Sequence, residues 1–256
     1  MRLKTLFRRA DFLVGMGVLA LLWLGVADWT HAVSPLLLPP LTDVLTRLAQ
    51  LTFSGTLLAD TQATLLRWAQ GFGLGAVLGT LAGLGLGTAP RLYRWLEGVI
   101  EFFRALPVTA IFPLFLMIFG IGDASKIAMA FLPTFLLMLI NASYGVLHAS
   151  RDRRRAAQVF GATPFQIFRY VVFWEALPQI FIGLRLALSL SLVVTVVSEM
   201  FIGTDTGLGQ RIYDSYLTNA VTTLYALLLV LGLLGYGLNK LSMSLEKRCV
   251  TWAGRA

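Results

Sequence analysis

The apolar positions of this chain fall in long blocks. Phe12 to Ala27, Trp68 to Pro90, Ala105 to Gly122, Ile127 to Leu147, Ile180 to Ile202 and Val221 to Leu238 are six such blocks, and only the fifth carries charge, at Arg185 and Glu199. A helix needs about 20 mostly apolar residues to cross the hydrocarbon core of a bilayer. The pattern predicts an all-α polytopic membrane protein of about six transmembrane helices with short connections. One membrane domain is expected over residues 12–242, between a short N-terminal segment (1–11) and a C-terminal tail (243–256). The first block has a second reading. Arg2, Lys4, Arg8 and Arg9 precede it and Gly25-Val26-Ala27 closes it, which is also the layout of a signal peptide. A retained span is preferred, because the apolar core is at the long end for a signal.

Finer periodicities sit inside the blocks. Gly71, Gly75, Gly79, Gly83 and Gly87 recur every four residues and so share one face of a helix. Small residues let helix backbones approach closely in lipid, so this ridge reads first as a packing surface. A sharper reading has a neighbouring helix slide or pivot along it. Pro107, Pro113 and Pro133 predict bends in or near the third and fourth spans. The stretch from Arg91 to Arg104, with Glu97, Glu101, Arg94 and Arg104 at helix spacing, reads as an amphipathic interfacial helix.

The connection between the fourth and fifth spans is unlike a polar loop. From Arg153 to Phe160 it predicts a short helix with Ala156, Ala157 and Phe160 on one side. Gly161 ends that helix, as glycine does at C′. Thr163 followed by Pro164 then gives an N-cap and a proline at N1, opening a second helix through Phe165, Ile167, Phe168 and Val171. Pro178 is read as closing the segment, which covers residues 149–178. Aromatic and apolar side chains are thus offered to water, and surface of that kind marks a protein partner.

Composition and charge sharpen this picture. The chain of 256 residues is 57% apolar and 13% charged, with a mean hydropathy of +0.76. A soluble domain carries about a quarter charged residues. One Cys (Cys249) and two His (His31, His148) leave no Cys/His metal site and no disulfide framework, and no metal ligand set is expected. The net charge of +8 does not argue for nucleic acid, because the basic residues are grouped between uncharged runs. With the N-terminus inside, sixteen of the 21 Lys and Arg fall in cytoplasmic segments. Arg47, Arg67, Lys126 and Arg211 fall outside and Arg185 lies in a span, so both termini are expected to be cytoplasmic.

Ala156-Ala157, Gly161 and Leu177-Pro178 resemble the EAA motif of bacterial ABC importer permeases, with Arg155 standing where that motif usually has Glu. Leu38-Pro39-Pro40, Leu65-Leu66-Arg67 through Gly71-Phe72, Arg104 to Pro107, Phe119 to Gly122 and Gly207-Leu208-Gly209 follow in order. Together they resemble the nitrate/sulfonate/taurine/bicarbonate group, whose relatives also carry thiamine-precursor pyrimidines. The resemblance covers roughly residues 35–240 and implies the type I importer permease (MetI-like) fold in a bacterial inner membrane.

The resemblance also implies partners. These are a second permease subunit, often identical, a periplasmic or lipid-anchored solute-binding protein, and a cytoplasmic ATPase subunit that binds ATP and Mg. Arg155, Ala156, Ala157, Gly161, Ala162, Thr163, Pro164, Phe165, Phe168, Leu177 and Pro178 would form the element that docks on the ATPase. No phosphate loop G-x-x-x-x-G-K-[ST] occurs in the chain, so no bound cofactor and no ATP hydrolysis are expected of it alone.

Polar residues inside spans are functional candidates. Arg185 either snorkels toward headgroups or the docking segment, or meets an anionic solute. Glu199 either reaches the outer interface or caps the following turn, or else lines an outer gate or pairs with a basic residue across a dimer. Ser191, Thr195 and Ser198 give the fifth span a polar face, which lines the pathway or bonds to other helices. The competing class is a secondary transporter or channel not coupled to ATP, for which discontinuous helices and an internal repeat would be needed. A membrane enzyme lacks a clustered acid/base or metal set.

Overall fold

The computed structural model describes residues 14–15, 17–29 and 33–252. Arg2, Lys4, Arg8, Arg9, His31, Arg255 and the start of the first apolar block lie outside them. All regular structure among the described residues is helical. We number the helices α1 (Gly17–Asp28), α2 (Leu41–Phe53), α3 (Thr56–Thr88), α4 (Pro90–Ala105), α5 (Phe112–Phe119), α6 (Asp123–Leu147), α7 (Arg151–Val159), α8 (Pro164–Ile202), α9 (Leu208–Leu217) and α10 (Val221–Cys249). Four of them, α3, α6, α8 and α10, are long and apolar enough to cross a membrane. A fifth crossing is counted if α4 and the Val108–Phe119 stretch, bent by 86°, form one span.

Several boundaries differ from the sequence reading. The second span starts about three turns early: α3 begins at Thr56, after Gly55 at φ +76°, so Arg67 lies within a helix and not in an outer connection. At about 1.5 Å per residue its 33 residues run about 50 Å. The third span, expected over Ala105 to Gly122, is broken. Leu106, placed before Pro107, is extended (ψ 127°), as steric conflict with a following proline ring dictates, and α4 stops at Ala105. A four-residue 3-10 turn and the eight-residue α5 follow, far short of a full crossing. At the C-terminus the tail expected from 243 is helical to Cys249.

The chain divides into two compact units. One contains Met1–Ala59 with Arg211–Leu231, the other Asp60–Gln210 with Gly232–Ala256. In the first, the Trp23 indole donates to the Pro39 carbonyl (3.0 Å) and meets the Tyr225 ring edge-on, while the Tyr225 hydroxyl donates to the Leu37 carbonyl (2.9 Å). Arg47 Nε donates to Thr223 Oγ1 (2.9 Å).

The second unit is organised by its glycines. A Cβ built on Gly71, Gly75, Gly79, Gly83 or Gly87 would come within 2.5–2.7 Å of α6. The atoms met are the carbonyls of Ile127, Phe135 and Leu139 and the Cβ atoms of Thr134 and Val146. The ridge is therefore a backbone-to-backbone seam along α3 and α6, closed by a Ser143 hydroxyl that donates to the Gly83 carbonyl (3.0 Å). The α6–α8 seam repeats the device. A Cβ on Gly145 would lie 2.9 Å from Ala176, and one on Gly183 2.7 Å from Asn141. Leu84, Met138, Ala142, Val146, Ala176 and Ile180 fill the core between the three helices.

Candidate functional sites: a capped helix–turn–helix and a buried charge cluster

The helix–turn–helix read between the fourth and fifth spans is present and is capped at every end. Ser150 caps α7, its hydroxyl accepting from the Arg153 amide (3.3 Å). Gly161 takes φ +79°, so that the Ala162 and Gly161 amides reach the Ala157 (3.0 Å) and Gln158 (2.9 Å) carbonyls. This is a complete Schellman motif. Thr163 and Gln166 form a capping box at the start of α8, with Pro164 at N1.

Pro178, read as closing the segment, lies instead inside α8. The helix continues from Pro164 through a π turn at Phe168–Val172 to Ile202. Neighbouring helices make an internal proline tolerable in such a bundle.

The inner side of the segment is fixed to the core. Ile167 and Val172 are buried, and Ala157, Ala162 and Phe168 pack against them half-buried. Glu175 of α8, not singled out by the sequence reading, receives the Ser150 amide and the Arg153 guanidinium, while Arg154 donates to the Val146 carbonyl. A carboxylate thus does reach the basic cluster, from α8 and not from position 155. The outer side is open. Arg155, Ala156, Gly161, Thr163 and Pro164 are exposed, Phe160 is 89% and Phe165 68% exposed, and Val159 stands beside them. Leu177 and Pro178 are half-buried and take no part in this surface.

The far end of α8 shows the opposite arrangement. Glu199 is fully buried. Its Oε1 accepts from Arg67 Nη1 (2.7 Å), and its Oε2 accepts from the Thr64 hydroxyl (2.8 Å) and the Gly209 amide (2.9 Å). Arg67 also donates to Asp123 Oδ1 (2.7 Å), the Thr206 carbonyl (2.7 Å) and Thr204 Oγ1 (3.0 Å).

Three successive amides at the start of α9, of the kind a helix leaves without internal partners, are met by side chains. Gly207 donates to Asp60 (3.0 Å), Leu208 to Thr64 (2.9 Å) and Gly209 to Glu199. The two glycines of Gly207-Leu208-Gly209 are steric requirements. A Cβ would lie 2.7 Å from the Glu199 carboxyl at Gly207 and 2.1 Å from the Val196 carbonyl at Gly209. Lys126, placed outside by charge counting, is buried in α6, its ammonium donating to the Gly122 carbonyl (3.0 Å).

The remaining candidates separate. The Ser191, Thr195 and Ser198 hydroxyls are fully buried and donate to carbonyls of their own helix, Ser191 also accepting from the Trp68 indole (2.9 Å). Their face of α8 is turned into the helix packing of this unit. Arg185 is part-exposed and lies 3.6 Å from Glu246 of α10. No group of His, Cys, Asp and Glu among the described residues could hold a metal.

A bundle of long apolar helices, sealed by glycine seams and carrying a capped, outward-facing helix–turn–helix, defines a multi-pass transport subunit. Residues 75–249 match the model of the binding-protein-dependent transport system inner membrane component, and the chain belongs to that family. It is 32% identical to a Brucella abortus protein described as a probable ABC transporter permease, over 95% of this chain and 98% of that one. It is 31% identical to the taurine transport system permease protein TauC of Escherichia coli, over 97% of this chain and 92% of TauC. Relatives in the same group are named for aliphatic sulfonate, nitrate and bicarbonate transport. The fold is that of the MetNI methionine ABC transporter, matched with a TM-score of 0.67 at 23% identity over 77% of this chain and 98% of that chain.

Proposed function

We propose that this chain forms the translocation pathway of an ATP-driven importer for a small solute, with taurine, sulfonates, nitrate and bicarbonate as the candidates. The names of the relatives support that class. A solute-binding protein delivers the solute at the outer face of the inner membrane, and a second permease subunit completes the pathway. The grouping of basic residues supports cytoplasmic termini and a cytoplasmic docking segment. ATP and Mg are bound and ATP is hydrolysed on a separate subunit.

The observation that carries the reading is the surface of Val159, Phe160 and Phe165. These large apolar side chains stay exposed while the backbone beneath them is capped at every end and bonded to α6 and α8. A rigid apolar knob of this kind has the properties of a docking element, and a cytoplasmic ATPase is the partner the family supplies. The test is copurification of the ATPase encoded with this chain. Wild type retains it; Gly161→Asp, strained at φ +79° and charged on the docking face, loses it while the membrane domain remains folded. Movement of solute down its gradient by the purified chain, without any ATPase, would overturn the reading.

A further inference from the structure

The Arg67 cluster is larger than the packing of a bundle requires. Ionised groups within membrane-spanning helices are expensive, and a buried ion pair adds little net stability over apolar packing of the same volume. Here a guanidinium and two carboxylates, Arg67, Glu199 and Asp60, are buried together at one end of the unit. The structure also shows what they hold. The loop 203–207 and the first turn of α9 are fixed by side chains of α3 and α8: Asp60 on Gly207, Thr64 on Leu208, Glu199 on Gly209, and Arg67 on Thr204 and Thr206.

We propose that this cluster is a releasable latch, with Arg67 and Glu199 as positioning residues for transport. It clamps the 203–207 loop to α3 in the state described and frees it in another state of the cycle. Three features suit release. The loop is bounded by Gly203 (φ +80°) and Gly207 (φ +142°), conformations that other residues rarely adopt, so both ends are glycine pivots. Asp123, the outward partner of Arg67, has a side chain 61% exposed, so water reaches the edge of the guanidinium when the inner bonds break. Glu199 lies in the last turn of the helix that begins at Pro164 in the docking segment. Over 39 residues this helix spans about 58 Å, so a displacement at one end is delivered to the latch at the other.

The proposal rests on the importer reading for the drive that opens the latch. The experiment is hydrogen–deuterium exchange of the 203–210 backbone in the permease–ATPase complex in lipid nanodiscs. Nucleotide-free complex is compared with complex trapped by ATP and vanadate. The expected result is at least tenfold faster exchange at the Gly207, Leu208 and Gly209 amides in one state than in the other. The double variant Arg67→Gln/Glu199→Gln, which removes both partners of the buried ion pair at once, should exchange fast in both states. It should also hydrolyse ATP without importing taurine, the probe solute.

A complex that hydrolyses ATP with less than a twofold difference between states would overturn the latch, as would a double variant that still switches or still imports. Failure of any ATPase to copurify counts against the importer reading. The latch is then read on the chain alone, where two exchanging populations at these amides support it and one fully protected population overturns it.

Discussion

The two ends of α8 invert the ordinary rule of burial in opposite directions. At the Pro164 end, Phe165 and the neighbouring Phe160 and Val159 are exposed although apolar; at the Ile202 end, Glu199 and its partner Arg67 are buried although charged. Between them the helix is a conventional packing element, sealed to α6 through Gly145, Ala176, Gly183 and Asn141. Each inversion costs free energy in the isolated chain. Exposed aromatic surface is recovered only when a partner covers it, and buried charge is tolerated only while every donor and acceptor is matched. The Glu199 oxygens are matched by Arg67, Thr64 and Gly209 within the chain, whereas the Phe160 surface has no cover among the described residues. One end is thus matched within the chain, and the other is the surface proposed above for a partner.

Substitutions should separate the two ends by what they damage. Glu199→Gln leaves the Arg67 guanidinium buried without its inner counter-charge, and should cost about 3–5 kcal/mol, the range for breaking a buried pair. Thermal unfolding of the detergent-solubilised protein reads this. Gly79→Ala drives a methyl to 2.5 Å from the Phe135 carbonyl, so α3 and α6 must part. A loss of about 1–3 kcal/mol is expected. The matched control is Gly73→Ala, where a Cβ meets nothing within 4 Å, and which should be neutral or gain about 0.5–1 kcal/mol. Equal destabilisation by both would mean that the glycines are not a seam.

Thr163→Ala removes the capping box and should cost about 1 kcal/mol, seen as faster amide exchange at Gln166. Phe160→Ala should shift stability by less than about 0.5 kcal/mol, as exposed positions do, yet abolish ATP-driven uptake. A variant that unfolds, or that still imports at the wild-type rate, would remove the contrast between the two ends.

Features set by local chemistry were readable in advance. Four-residue glycine spacing, Gly161 at C′ and the Thr163-Pro164 helix start depend on a few adjacent residues and appear where expected. Misplaced features depended on tertiary partners. Arg67 bounds the apolar block that starts at Trp68 and so reads as part of an outer connection, yet Asp60, Thr64 and Arg67 continue one polar helix face that runs into the glycine ridge at Gly71. That face was the available signal, and it is helical because Glu199 and Asp123 meet its charge. Glu199 was singled out, but its partner, on α3 in the same chain, is 132 residues away in sequence. Pro178 ends a helix in water but not in a bundle, where α6 packs against the same turn through Gly145 and Ala176. Ser191, Thr195 and Ser198 share a face because helices have a 3.6-residue period, and that period does not say whether the face meets solute or protein.

The exposed knob at the start of α8 is proposed to dock on an ATPase. A cysteine at position 160, introduced as Phe160→Cys after replacing the exposed Cys249 with Ser, tests it by cross-linking in inner-membrane vesicles that contain the ATPase encoded with this chain. The expected result is a cross-linked permease–ATPase band that Phe53→Cys, 90% exposed in the other unit, does not give. A cysteine at 160 that labels freely with a water-soluble maleimide but never cross-links to the ATPase, in vesicles that still import with ATP, would contradict it.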